Sequence, residues 1–200
     1  MEYKPNDLFV GVIDFFGILV PGSVLLFLHG DPILHQLGLS CRPDDKAFYW
    51  VSFFVGSLLL GQFLTGISVL LLNWAFHLSL GNLELYYKEV EPAISLPVKN
   101  DRKAAYHRAY SFIRLYSPAG ISEIDRQVAE YKLFRALTVA FIVDFLFALA
   151  KLNLVHMAVS LLLVLLSWYR FASLVCWTQQ MTFEYYVLLT QSARKNPETA

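Results

Sequence analysis

The sequence predicts an all-α integral membrane protein: four transmembrane helices in two hairpins, with a helical cytoplasmic insert between spans two and three. Three observations carry this prediction. Apolar runs at 8–28, 48–76, 133–152 and 154–177 each reach the ~20 residues a helix needs to cross a hydrocarbon core. A single long polar stretch, 80–132, separates the first pair of runs from the second. Charged residues make up only 16% of the chain and hydrophobic ones 56%, with a mean hydropathy of +0.49, whereas soluble domains carry roughly 25% charge. Four segments follow: a first transmembrane hairpin at 1–79, the insert at 80–132, a second hairpin at 133–177 and an amphipathic cytoplasmic tail at 178–200.

The first run could be read as a signal peptide. It is long for one, however; one Lys against two acids precede it, and no Ala-x-Ala-like site follows Leu28. A retained span is expected, with Asp14 about two turns in and a bend near Pro21, where a backbone hydrogen bond is lost. A short loop, 29–47, connects it to span two. Span two is 29 residues without a charge, longer than a ~30 Å core requires, so it should tilt. Tyr49, Trp50 and Trp74 mark its interfacial ends. Ser52 with Gly56, and Ser57 with Gly61 and Thr65, put small groups four residues apart, which lets a second helix approach closely.

In the insert, Asn82 caps a helix stopped by Pro92, and a second, amphipathic helix starts at Asn100 or Asp101 and ends before Pro118. Ser122 is the expected cap of a third helix with Glu123 and Asp125 in its first turn, and no breaker follows until Asn153. This helix should therefore run on from the polar insert into span three. On it Ala136, Ala140, Asp144 and Ala148 recur every four residues, so three small side chains and a carboxylate share one face. A carboxylate facing lipid is expensive, so that face should meet another helix, with Gln62, Thr65 or Asn73 as candidate partners for Asp144. Span four returns after a tight turn at 151–153, and 181–195 extends as an amphipathic helix along the inner surface.

Orientation follows from the basic residues. With the insert inside, the cytoplasmic face holds Lys4, Lys88, Lys99, Arg102, Lys103, Arg108, Arg114, Arg126, Lys132, Arg135, Arg170, Arg194 and Lys195, and the outer face holds Arg42, Lys46 and Lys151. Thirteen against three places both termini and the insert on the cytoplasmic side of the membrane. Cys41 and Cys176 then lie on opposite sides and cannot pair within one chain.

Candidate chemistry is sparse. Arg102 and His107 form an R-x4-H string similar to that of HEPN ribonucleases, in which Arg and His stabilise charge and move a proton during attack by a ribose 2′-OH. A solvated Arg and His on an amphipathic helix account for the same residues. Asp14, Asp144 and Gln62 are the polar groups within the spans, and Gly56, Gly61, Ala136, Ala140 and Ala148 the packing positions. Intramembrane carboxylates mark proton or ion paths, or lock helices together. Lys99, Arg102, Lys103, Arg108 and Arg114, interleaved with tyrosines, form a surface for a soluble cytoplasmic protein partner, for RNA or for anionic lipid. The five histidines show no ligand spacing, and no phosphate loop or dinucleotide fingerprint is present, so neither metal nor cofactor is expected.

Four spans, both ends inside, a helical insert between hairpins and the string DFFGILVPG at 14–22 resemble the small membrane subunits of bacterial anti-phage defence systems, and among them the Kiwa membrane-subunit family, KwaA. The resemblance implies a non-enzymatic homo-oligomer of the inner membrane that senses infection and holds a soluble partner at its cytoplasmic face, with nucleic acid engaged only indirectly. The alternatives are a membrane-tethered HEPN-like ribonuclease using Arg102 and His107, and a pore subunit like the pore-forming accessory proteins of CRISPR systems, which the R-x4-H string also resembles.

Overall fold

A computed structural model describes residues 5–36, 46–78 and 102–195. The described residues form five helices and no strand: α1 (Pro5–Gln36), α2 (Lys46–Leu78), α3 (Arg102–Tyr116), α4 (Pro118–Ala150) and α5 (Leu154–Lys195). Within α2, α4 and α5 lie segments long and apolar enough to cross a membrane; in α1 the apolar segment Asp14–Gly30 is shorter. Phe63, Leu70, Leu162 and Leu166 on α2 and α5 point outward, as the side chains of a helix in lipid do. The expected helix after Asn82, together with Cys41 and Lys99, lies outside the described residues.

α4 organises the bundle, because α1, α2, α3 and α5 all pack on it. It begins earlier than Ser122. Pro118 occupies the first turn, where a missing N–H costs nothing, and the Ser117 hydroxyl accepts from the Gly120 N–H at 3.3 Å. Glu123 and Asp125 consequently fall in the second turn. The helix is 33 residues, ~50 Å long at 1.5 Å per residue. Ala136, Ala140, Asp144 and Ala148 all lie buried along one face of it.

α1 crosses α2 closely. A Cβ on Gly22 would meet the Ser57 carbonyl oxygen, and one on Gly61 would meet the Ile18 carbonyl oxygen. Only hydrogen fits at both positions. Gly56, a turn away, faces the end of Leu26. At Pro21, where a bend is expected, the backbone keeps helical φ/ψ and the residue is buried in this crossing; the non-helical residue within α1 is His29 (φ −134°, ψ 21°). Pro32 explains the kink at His29, since it has no N–H for the carbonyl four residues back, at Leu28. The chain expected to form a loop from residue 29 therefore continues as helix to Gln36 beyond a kink.

The α4–α5 turn is three residues long. Leu152 takes a left-handed conformation (φ 52°), its N–H donates to the Leu149 carbonyl, and the Asn153 N–H donates to the Ala148 carbonyl. That is the Schellman arrangement with leucine where glycine is usual. Asn153 then caps α5, its side-chain oxygen accepting from the His156 N–H at 3.1 Å. α5 runs 42 residues without interruption, ~63 Å, so the tail beyond Trp177 continues in line with the helix. It stays in line because Phe183, fully buried, packs with Ala105, Ala109 and Tyr106 of α3. Thr178 and Thr182 bond their own helix carbonyls and so enter the core as apolar surfaces.

Candidate functional site

The turn at 151–153 fixes the register of α4 and α5, and with it the most concentrated polar group in the bundle. Asp144 lies eight residues before Leu152 and Ser160 eight after, so an antiparallel hairpin brings them face to face. Ser160 donates to Asp144 Oδ2 at 2.5 Å and is also 2.9 Å from the His156 carbonyl oxygen. His156, held by the Asn153 cap, brings Nε2 to 3.0 Å from Oδ1 and 3.1 Å from Oδ2. His29 reaches across from the kink of α1 and places its Nε2 2.7 Å from Oδ1. Its ring stacks on Phe147, centroids 4.4 Å apart, and lies parallel to the His156 ring at 6.5 Å.

Three helices thus converge on one carboxylate. Asp144 is 2% exposed and His29 5%, whereas the side chain of His156 is about one-third exposed and forms the rim. An ionised carboxylate only accepts, so each imidazole presents Nε2–H to it. Burial of the charge is compensated by three donors. It is not a nucleophile arrangement, because the serine hydroxyl gives its proton to the carboxylate and not to an imidazole. The Nε2 of each ring aims at carboxylate oxygen instead of a shared vacancy, and among the described residues no His, Cys, Asp and Glu cluster has metal-holding geometry.

The sequence pointed to Asp144 but not to its partners. Gln62 is exposed on α2, and the Thr65 hydroxyl donates to the Gly61 carbonyl of its own helix. The side chain of Asn73 lies outside the described residues. Polarity at 156 and 160, four apart on an otherwise apolar helix and opposite Asp144 across a short turn, was the available signal.

Two further polar levels occur along α4. Lys132 bonds Asp14 at 3.1 Å, both about 40% exposed, and Arg135 Nε donates to Ser68 Oγ at 3.1 Å. At the N-terminal end, Tyr110 donates to Asp125 at 2.5 Å and Arg126 pairs with Glu123 at 2.6 Å. Burial pushes the Tyr106 phenol up to about 12, with a Thr182 hydrogen bond acting the other way. Burial, then its bond to Asp125, raises Tyr110 as well.

His107, Arg108 and Arg114 are exposed on α3, away from the Ala105, Ala109 and Ile113 face that packs inward. His107 has an edge contact with Tyr106; the side chains of Arg102 and Lys103, and with them the R-x4-H pairing, lie outside the described residues. Comparison of the chain with protein-family models, curated proteins and solved structures gives no match.

Proposed function

We propose that the chain is a non-enzymatic, oligomeric four-span protein of a bacterial inner membrane, the membrane component of an anti-phage defence system. Its spans sense or perturb the membrane and its cytoplasmic helices dock a soluble partner. One observation carries the reading: α4 is a single rigid element with the His29–Asp144–His156–Ser160 site near one end and the α3 contact at the other. A change in helix spacing at the site has a direct mechanical route to α3, through backbone that is helical throughout. The exposed Arg108 and Arg114 on α3 offer the docking charge, and the outward apolar faces of α2 and α5 supply the lipid-facing surface.

The test is phage plating on a host expressing the chain with its genomic neighbours. Asp144→Leu should abolish protection while the chain stays in the membrane and still retains its partner in pull-downs. The double change Arg108→Glu, Arg114→Glu should abolish both protection and partner retention. Full protection by both variants would contradict the proposal.

A further inference from the structure

On α2 the buried face is spoken for: Ser57, Gly61, Leu64 and Ser68 turn inward, and the helix packs on α1 and α4. The opposite face contains an orphan. Gln62 is exposed near the middle of an uncharged 29-residue run and makes no hydrogen bond among the described residues. An amide carrying two donors and an acceptor is costly to leave in hydrocarbon without partners. It does not stand alone. Val55, Leu59, Gln62, Gly66 and Val69 are all exposed and follow one another at intervals of four, three, four and three residues. This is the seam spacing of two helices packed with a left-handed crossing. Gly66 has nothing within 4 Å of an added Cβ, so the backbone there is open to close approach.

We propose that this seam is the contact between two copies of the chain, α2 against α2, with the Gln62 amides of the copies hydrogen-bonded to each other. A second copy is the fitting occupant because copies inserted in one orientation bring Gln62 level with Gln62, and a primary amide is its own complement, donor to acceptor both ways. A lone polar residue at one seam position also fixes register and subunit number, as it does in soluble coiled coils. The proposal rests on α2 spanning a bilayer.

The experiment is disulfide scanning in native membranes, in a background where Cys41→Ser and Cys176→Ala remove the native thiols. Leu59→Cys, Gln62→Cys and Gly66→Cys should give covalent dimers on mild oxidation, at least about fivefold above Leu64→Cys, which faces inward, and Ile67→Cys, which is exposed but off the seam. Dimers at Leu59→Cys should fall severalfold with Gln62→Leu added, and recover in part with Gln62→Asn. Absence of dimers at the three seam positions, equal yield at Ile67→Cys, or an adduct of foreign mass would overturn the proposal; a yield insensitive to Gln62→Leu would overturn the amide pairing. Alkaline carbonate separates the two readings: a chain washed off the membrane defeats the spanning premise, while a chain retained without dimers defeats only the seam.

Discussion

Asp144→Leu, taken as a double-mutant cycle with His29→Leu, tests whether the carboxylate ties α1 to the α4–α5 hairpin. In Asp144→Leu, Ser160 keeps the His156 carbonyl as partner and the rim-exposed His156 turns to solvent. His29, 5% exposed and covered by Phe147, has no other acceptor among the described residues. One buried donor is orphaned, at a cost of about 1–3 kcal/mol. In His29→Leu the carboxylate retains two donors and the loss is of similar size. The double variant carries no orphaned donor, so it should be about 1–2 kcal/mol more stable than the sum of the singles implies, near the upper end of polar couplings between membrane helices. Reversible unfolding of detergent-solubilised protein reads this coupling. Additivity within about 0.3–0.5 kcal/mol would refute the reasoning, because it would mean that His29 and Asp144 do not share an interaction.

Other consequences follow from single residues. Gly61→Ala sets a methyl group against the Ile18 carbonyl oxygen and should cost about 1–3 kcal/mol, whereas Gly11→Ala, with open space around it, should gain up to about 1 kcal/mol; thermal unfolding distinguishes them. Leu152→Gly removes a left-handed leucine that is 80% exposed and should stabilise the hairpin by up to about 1 kcal/mol, read the same way. Tyr106, raised to about 12 by burial, favours the fold in its neutral form. Its contribution is whole below the ordinary phenol value near 10 and lost as pH rises through about 12. Phenolate absorbance should therefore show more than one late-titrating tyrosine, since Tyr110 is raised too, with one fewer in Tyr106→Phe and α3 becoming protease-sensitive over the same window.

Periodicity reveals helices and faces but not the long-range registers that assemble a site. The buried face at 136, 140, 144 and 148 could be read from spacing alone, because a four-residue repeat within one helix is local information. The Asp144–Ser160 pairing needed only a short turn, and the Asn153 cap signalled it. His29 was illegible for a different reason. The kink that carries His29 lies one turn upstream of Pro32, whose N–H is missing, while Pro21 keeps helical φ/ψ in the Gly22–Gly61 crossing, and no local rule ranks these two prolines. Likewise, nothing within 178–195 announces that Phe183 will be buried by α3; amphipathicity fits a membrane surface and a helix partner equally well. The start of α4 at Pro118 was legible in principle, since proline favours the first turn of a helix as readily as it ends the one before it.

The most direct test of the membrane account is side-specific labelling of Leu152→Cys and Leu115→Cys, two exposed positions just beyond opposite ends of α4, in the background lacking native thiols. An impermeant maleimide applied to cells with a permeabilised outer membrane should label Leu152→Cys at once and Leu115→Cys only after the inner membrane is opened. Labelling of both from the same side, or recovery of the chain in the soluble fraction, would contradict it.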